Sequence, residues 1–221
     1  MATAPLRIAH RGMPRLALEN TLPSFALALE SGAQGIELDV HATRDGVVVV
    51  HHDPIVRGGQ VIAEQTFAAL HDGTGAASGI LPTLAEVCAL VRSRAELFVE
   101  VKGAGIERVV LDVMREYEGP FAIHSFDHAL IARIHVLDDT LRLGVLFEEP
   151  VTDLNALMRA TGARDVWPHA PLINARLVRE VHAATGRVIA WTVNDAAEAE
   201  RLASLGVDGL CGDDVCIFAS R

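Results

Sequence analysis

The sequence predicts an α/β fold: a single-domain (β/α)8 TIM barrel with a short excursion after the second repeat. Short apolar runs alternate with longer stretches of helical periodicity along the chain, and eight such βα repeats can be counted. Eight repeats favour a closed barrel, with an open doubly wound sheet as the alternative. No linker or change of composition divides the 221 residues, so we expect one domain spanning residues 1–221.

The predicted strands are short apolar runs, as expected where a strand is buried on both faces. Those assigned to the barrel are Leu6–His10, Gly35–Val40, Leu97–Val101, Phe121–His124, Leu141–Phe147, Ala163–Trp167, Val188–Val193 and Val207–Cys211. A further run, Val47–His51, is β-branched and continuous, and we interpret it as an extension of the second repeat. Residues 54–80 show the least periodicity, which predicts an excursion over the C-terminal face of the barrel.

Helical periodicity fills the intervals between these strands, and several helix boundaries carry capping signals. The predicted helices are Leu22–Ser31, Thr83–Ser93, Ile106–Tyr117, His128–Val136, Asp153–Thr161, Ala175–Thr185 and Ala196–Leu205. Thr21 is a candidate N-cap with Pro23 in the first turn of its helix. Thr83-Leu-Ala-Glu86 has the spacing of a capping box, and Gly206 is a candidate C-terminal stop.

The formal net charge of −10 limits the partners that the chain can bind. An acidic surface repels phosphate backbones, which argues against a nucleic-acid partner. An anionic small-molecule substrate would need positive charge supplied locally by Arg, Lys or a metal ion. Three cysteines without CxxC spacing indicate a reducing compartment, and we find no signal peptide and no apolar run of membrane-spanning length. These features predict a cytoplasmic protein without membrane insertion and leave the oligomeric state open.

Polar side chains cluster at the predicted C-terminal ends of the first barrel strands, where barrel enzymes place their chemistry. The first strand ends in His10-Arg11. Glu37 and Asp39 alternate with apolar neighbours on the second strand, so the two carboxylates share one face. Buried unpaired carboxylates are very costly, and a hard divalent cation would compensate their charge. The alternative is a salt-bridged or solvated pair.

The third barrel strand repeats this arrangement with Glu100 and Lys102, which also share a face. Glu100 is a candidate metal ligand and Lys102 a candidate phosphate ligand, with a mutual ion pair as the alternative. The β-branched run is followed by His51, His52 and Asp53, where strand parity does not decide which histidine faces the site. Either histidine could act as a general acid or base.

Together these residues form a workable apparatus for hydrolysing a phosphodiester. The carboxylates suit one hard divalent cation, Mg²⁺ or Ca²⁺, with Mn²⁺ also possible. The cation, the Arg and the Lys would supply the local positive charge that the acidic surface lacks. Two histidines would supply the acid and the base.

A series of short motifs also runs through the chain in a definite order. The N-terminal block comprises His10-Arg11-Gly12, Glu19-Asn20-Thr21, Glu37-Leu38-Asp39-Val40, Thr43-Arg44-Asp45-Gly46 and His52-Asp53. The later motifs are Pro82-Thr83-Leu84, Glu100-Val101-Lys102, Ser125-Phe126, Trp191-Thr192-Val193-Asn194 and Gly206-Val207-Asp208-Gly209. In these motifs the sequence resembles the glycerophosphodiester phosphodiesterase family, in its bacterial cytoplasmic form, over nearly the whole chain.

The resemblance implies a single catalytic domain over residues 1–221 that yields sn-glycerol 3-phosphate and a free alcohol. It implies a role for each candidate residue: His10 and His52 as the acid/base pair, Glu37, Asp39 and Glu100 as ligands of the divalent cation, Arg11 and Lys102 as phosphate ligands with Glu19 near the site, and Phe126 and Trp191 as walls of the glycerol pocket. It therefore favours His52 over His51.

The sequence departs from the family pattern in the segment that follows the His-Asp motif and near the C-terminus. Arg57 is followed by two glycines where the family usually has Thr, and the family's Thr-Asp appears as Gly212-Asp213. The short segment before Glu100 leaves the alcohol headgroup open. Trp167 and His169 are candidates either for the pocket or for core and loop positions, and Cys211 is expected to be a small buried hydrophobe.

Two other functions remain as alternatives. A related metal-dependent lipid phosphodiesterase, acting on lysophospholipid or sphingolipid headgroups, would use the same apparatus but would need an apolar path for a long chain. A barrel that binds a phosphorylated ligand without turnover would have no need of acid/base histidines. The remaining histidines, His124, His128, His135 and His182, are expected to be surface or packing residues.

Overall fold

The computed structural model describes residues 4–56, 58–74 and 81–218. Nine strands form one sheet in the described residues: β1 Leu6–His10, β2 Gly35–Ala42, β3 Val48–Val50, β4 Glu96–Val101, β5 Phe121–Ser125, β6 Leu143–Phe147, β7 Asp165–Pro168, β8 Arg187–Ala190 and β9 Gly209–Gly212. All except β3 pair in parallel, in the order β1-β9-β8-β7-β6-β5-β4-β2, and β2 pairs again with β1. The sheet therefore closes into the predicted (β/α)8 barrel.

Helices follow the strands and cover the outside of the barrel. They are α1 Leu22–Glu30, α2 Phe67–Thr74, α3 Leu84–Val91, α4 Glu107–Arg115, α5 His128–Leu137, α6 Leu154–Thr161, α7 Ala175–Ala183 and α8 Ala196–Leu205. Helix α2 lies in the segment whose sequence showed little periodicity, and it was not predicted. The helices within the described ranges lack the length and apolarity needed to cross a bilayer.

The predicted helix boundaries are largely confirmed by their caps. The Thr21 side chain accepts a hydrogen bond from the Ser24 backbone, and Pro23 lies in the first turn of α1. Thr83 and Glu86 form both hydrogen bonds of the capping box at α3. Gly206 ends α8 with φ +86°, a left-handed conformation that Gly adopts without steric cost.

Side chains alternate between the two faces of each barrel strand, and each face has its own core. Ile36, Leu38 and Val40 of β2 point outward into the large core between barrel and helices. The barrel interior is packed with Ile8, Phe98, Ala122, Leu146, Trp167, Ile189 and Cys211. Cys211 is fully buried there, as expected. The inward positions beyond this layer, toward the C-terminal strand ends, carry the polar side chains described below.

The N-terminal end of the barrel is closed by an ion-pair network. Arg187 contacts Glu96 at 2.8 Å and Asp165 at 2.7 Å, and Arg142 contacts the other oxygen of Asp165 at 2.8 Å. The Arg187 guanidinium also stacks 5.5 Å from the ring centroid of Phe98. Asp165 is fully buried, and its negative charge is compensated by the two arginines that contact it.

The run after β2 forms an antiparallel hairpin outside the barrel ring. Val40 of β2 pairs with Val50 of β3, so β3 extends the second repeat by reversing direction. The described part of the excursion that follows packs on this hairpin through its own apolar cluster: Val49, Val56, Ile62, Leu70 and Leu81. The hairpin therefore carries the residues after Val50 to the C-terminal end of β2.

Candidate active site

The C-terminal ends of the first barrel strands bring the predicted polar residues together. His10 is in register with Glu37, and Glu100 is in register with both Asp39 and His124. A cavity of about 110 Å³ opens at this end of the barrel. It is lined by His10, Arg11, Glu37, His52, Glu100, Lys102, His124, Phe126, Leu146, Glu148, Trp167, Trp191 and Cys211.

Larger grooves lie elsewhere on the surface and are lined by none of the predicted site residues. One groove of about 1020 Å³ runs along α3 and α4 and is lined by residues such as Ala85, Cys88 and Val113. The smaller cavity gathers almost all of the candidate side chains, so we take it as the site.

Three buried groups at the cavity floor are close enough to share one metal ion. Ligand atoms of Glu37, Glu100 and His124 all lie within 4.8 Å of one another. Their positions inside the barrel exclude most solvent, since Glu37 is 3 % and Glu100 6 % exposed. Two carboxylates this close and this buried repel each other unless a cation lies between them, so the residues present fit a divalent ion.

Asp39, the remaining predicted ligand, is held by cationic side chains in this structure. Its carboxylate contacts Arg11 Nε at 3.1 Å and Lys102 Nζ at 3.2 Å, and it accepts a hydrogen bond from Asn20 at 2.7 Å. Burial alone would raise the pKa of Asp39, but Arg11 and Lys102 outweigh burial and lower it. Asp39 therefore fixes the positions of both predicted phosphate ligands.

Glu100 titrates very differently from its neighbour. Burial and the charge of Asp39 raise its pKa to about 8, although Lys102 lies only 2.7 Å from its carboxylate and opposes the shift. Burial would lower the pKa of Lys102, but Glu100 and Asp39 raise it. Lys102 therefore stays protonated, and Glu100 is the neighbouring carboxyl group whose charged form a bound cation would stabilise most.

His10 forms a hydrogen-bonded pair with Asp213. The distance from His10 Nδ1 to the Asp213 carboxylate is 2.8 Å, and Asn194 donates to the same carboxylate at 2.6 Å. Burial would lower the pKa of His10, but the bond to Asp213 and the charge of Glu37 raise it. Burial would raise the pKa of Asp213, but the bonds from His10 and Asn194 lower it. The pair leaves His10 Nε2 to exchange a proton.

His52 reaches the cavity from the hairpin, and His51 does not line it. The Nδ1 atom of His52 lies 2.8 Å from the Asp53 carboxylate, and this pair resembles the His10–Asp213 pair. The ring of His41, on β2, bonds the backbone carbonyl of His52 at 3.1 Å and so fixes the start of this loop. Strand parity left open which of the two adjacent histidines faces the site, and in the structure His52 is the one that lines the cavity.

The backbone after β1 adopts the turn that brings Arg11 to the acids. Arg11 has φ +54°, and its backbone N–H donates to the Glu37 side chain at 3.1 Å. Gly12 follows with φ +90°, and a Cβ there would lie 2.3 Å from the Ser24 hydroxyl. Only Gly fits this close approach. Glu19 contacts the Arg11 guanidinium at 3.1 Å from outside the cavity.

Two aromatic side chains form one wall of the cavity. Phe126 and Trp191 meet edge to face with ring centroids 5.4 Å apart. Lys102 Nζ lies 5.8 Å from the Phe126 ring centroid, so the wall adjoins the cationic groups. Trp191 donates to the backbone carbonyl of Trp167, which itself lines the cavity. His169 packs against Trp191 from outside the lining.

Sequence reasoning missed two residues of this site. His124 was expected to be a surface or packing residue; it is fully buried and packs on Trp167, and it also belongs to the group that could hold an ion. Its inward parity with Ala122 on β5 was the available signal. Asp213 was interpreted only as part of a departure from a motif. In the structure the turn before Asp213 has no space for a side chain at Gly212, because a Cβ there would lie 2.0 Å from the Val193 carbonyl oxygen.

A closed (β/α)8 barrel with acids, histidines and cationic groups around one cavity at its C-terminal strand ends defines the chain as a barrel enzyme. The sequence of residues 10–216 matches the model of the glycerophosphoryl diester phosphodiesterase family. A glycerophosphodiester phosphodiesterase from Caldanaerobacter subterraneus subsp. tengcongensis is 31 % identical, with 95 % of this chain and 94 % of the relative aligned. The chain belongs to this family of phosphoric diester hydrolases.

Solved structures give the same relationship. A glycerophosphodiester phosphodiesterase from Thermotoga maritima has a TM-score of 0.86 at 25 % identity, covering 98 % of both chains. A phosphodiesterase from Oleispira antarctica, solved in complex with the product sn-glycerol-3-phosphate, has a TM-score of 0.85 at 25 % identity, covering 95 % of this chain and 93 % of that one.

Proposed function

We propose that this chain hydrolyses glycerophosphodiesters to sn-glycerol 3-phosphate and an alcohol, with one divalent cation and with His10 and His52 as general acid and base. The observation that carries the proposal is the single cavity that joins both histidines, the buried carboxylates and two cationic side chains. The product complex of the Oleispira antarctica relative supports sn-glycerol 3-phosphate as the product here.

Glu37, Asp39 and Glu100 would hold the cation, with Mg²⁺ or Ca²⁺ as the first candidates and Mn²⁺ as a third. The closeness of Glu37 and Glu100 in a buried site supports this assignment. A bound divalent cation would polarise a phosphoryl oxygen and neutralise charge that develops on it. Because Asp39 also bonds Arg11 and Lys102, the cation and the cationic side chains would share one carboxylate.

Arg11 and Lys102 would bind the phosphate from the side of Asp39, with Glu19 orienting the Arg11 guanidinium. Phe126 and Trp191 would pack against the glycerol carbons, since their edge-to-face pair adjoins Lys102. These contacts would bind the phosphate and the glycerol in the cavity that both histidines line.

The two histidines would divide the proton transfers between them. Each has its Nδ1 bonded to an Asp carboxylate, which selects the tautomer that presents Nε2 to the substrate. One Nε2 would take the proton from the attacking oxygen, and the other would donate a proton to the departing alcohol oxygen. The raised pKa of His10 favours its protonated form and suits it to the second task.

Hydrolysis of glycerophosphocholine and glycerophosphoethanolamine tests the proposal. We expect release of glycerol 3-phosphate, followed by a coupled dehydrogenase, with added Mg²⁺ or Ca²⁺ and none in EDTA. His10→Ala and His52→Ala should each lower kcat by about 10²- to 10⁴-fold, the usual contribution of general acid–base catalysis. Glu37→Gln should abolish activity while the fold survives. His182→Ala, at the opposite end of the barrel, is the matched control. Folded protein that releases no product with any of these ions would refute the proposal.

Exposed apolar residues on loops at the C-terminal face favour one second candidate, hydrolysis of a lysophospholipid or sphingolipid headgroup ester. Leu16, Leu18, Ile55 and Phe126 are 68, 57, 47 and 41 % exposed. They follow β1, β3 and β5, so all four lie on the cavity side of the barrel. Faster release of choline from lysophosphatidylcholine than from glycerophosphocholine would support this candidate, and the reverse would exclude it as the main activity.

A further inference from the structure

His124 is a buried histidine whose polar atoms have no partner. The residue is fully buried at the end of β5, and neither ring nitrogen has a hydrogen-bond partner among the described residues. Other histidines near the barrel behave differently: His41 and His128 each bond a backbone carbonyl, at 3.1 and 2.8 Å. An unsatisfied buried polar group costs about 1–3 kcal/mol. The ring nitrogens of His124 therefore need a partner that the described protein atoms do not supply.

Carboxylate oxygens of the two acids at the cavity floor lie close to the ring of His124. Nε2 lies 3.8 Å from Glu37 Oε1, which is too long for a hydrogen bond. The ligand atoms of Glu37, Glu100 and His124 lie within 4.8 Å of one another. Ligand bonds to a transition-metal ion are about 2.0–2.2 Å long, so two ligands of one ion lie at most about 4.4 Å apart, and small side-chain shifts would bring all three groups to one ion.

Packing fixes the ring of His124 in this orientation. The ring stacks on Trp167 with centroids 4.4 Å apart and an interplanar angle of 11°. Gly144, on the strand between them, makes this possible, since a Cβ there would lie 3.0 Å from both His124 Cβ and Trp167 Nε1. The imidazole of His124 therefore packs against the indole of Trp167, and the absence of a side chain at Gly144 leaves room for the two rings to meet. A ligand fixed in advance loses little conformational entropy on binding an ion.

We infer that His124 is a nitrogen ligand of the divalent cation at Glu37 and Glu100, and that it shifts the preference of the site toward later first-row ions such as Co²⁺ and away from Mg²⁺ and Ca²⁺. The inference rests on the cation of the proposed function and adds a ligand to it. Mg²⁺ and Ca²⁺ favour oxygen ligands, whereas an imidazole nitrogen favours the later first-row ions. An oxygen-only set at this site would show this preference less strongly.

Titration calorimetry of Co²⁺ and Mg²⁺ binding to metal-free protein tests the preference without measuring activity. We expect His124→Gln to lower the affinity for Co²⁺ by at least the roughly 10- to 100-fold that is typical for losing an outer-shell partner of a ligand. The affinity for Mg²⁺ should change much less, because the amide of Gln offers an oxygen. His124→Ala should weaken both, and His182→Ala should change neither.

A second measurement uses the unaltered protein and so does not depend on the folding of a variant. Electron spin echo modulation of bound Mn²⁺ should show a directly coordinated ¹⁴N, and this signal should be absent in His124→Gln. An unchanged ratio of Co²⁺ to Mg²⁺ affinity in His124→Gln, or no nitrogen signal in the wild type, would overturn the inference while leaving the proposed hydrolysis intact. Binding of no ion by the wild type would overturn the cation of the proposed function as well.

Discussion

The two proposed acid/base histidines, His10 and His52, each carry a carboxylate on Nδ1, but the two pairs differ in their surroundings. Asp213 is 27 % exposed and is itself held by Asn194, whereas Asp53 is 68 % exposed. A carboxylate that is held in place controls the orientation and the protonation of its imidazole more strongly than a solvated one. Asp213 is therefore a positioning residue for His10.

We predict that Asp213→Asn lowers the pKa of His10, because it removes the negative charge that raises this pKa in the wild type. The value of kcat should fall by about 10²-fold, at the low end of the range for general acid–base catalysis. Titration of the His10 ring by NMR, with the pH profile of kcat, measures both effects. Asp208→Asn removes the carboxylate bonded to His182 at the other end of the barrel and should leave kcat unchanged. An unaltered His10 titration would contradict the prediction.

For individual residues, the sequence predicts which polar side chains lie close together, because strand parity and the positions of the strand ends determine which way those side chains point. It does not predict Asp213 as the partner of His10, because the two lie 203 residues apart and only closure of the barrel brings β9 beside β1. Nor does it show that Asp39 turns toward Arg11 and Lys102, since that orientation depends on several long side chains in competition.

Among the elements, the strands and helices of the barrel are predicted to within a few residues, because apolar period and caps are local properties. The hairpin is different. The β-branched run identifies β3 as a strand, but its antiparallel pairing with β2 depends on the turn between them and on tertiary packing. Helix α2 was missed for a similar reason, since its described part packs into the separate apolar cluster under the excursion and its stability depends on that tertiary packing.

The ion-pair network at the base of the barrel connects β4, β6 and β7 to β8 and should contribute strongly to stability. Asp165→Ala leaves Arg142 and Arg187 without their shared buried partner, and removing one member of such a network costs about 3–5 kcal/mol. We expect this loss in the free energy of unfolding measured with urea. Asp112→Ala breaks an exposed pair with Arg115 and is the matched control, with a far smaller effect expected. Equal losses in the two variants would show that burial does not decide the outcome.

Over the whole molecule, the raised pKa of Glu100 predicts that stability depends on pH, and a bound ion would change that dependence. In the metal-free protein the pKa of Glu100 is raised to about 8 from 4.5. The unfolded chain releases this proton at lower pH than the folded one, so this group lowers stability as pH rises between those values. A cation bound to the folded state would reverse the loss by mass action.

Glu100→Gln should remove this dependence. We expect the Tm of the variant in EDTA to fall less between pH 5 and pH 8 than the Tm of the wild type, as followed by circular dichroism. Added Ca²⁺ or Mn²⁺ should raise the Tm of the wild type and leave that of the variant unchanged. Glu116→Gln, on the surface, should keep the wild-type slope and response. Parallel slopes for wild type and Glu100→Gln would exclude Glu100 as the group responsible.

The separate core beneath the hairpin has a consequence for how such enzymes diversify. His10 belongs to the barrel wall, whereas His52 is carried by a segment whose apolar cluster is distinct from that of the wall. Insertions or deletions between Pro54 and His71 would therefore change the surroundings of His52 without altering the residues of the barrel wall that line the cavity. The segment that carries His52 and the barrel wall that carries the other cavity residues can therefore vary separately, because they pack through different apolar clusters.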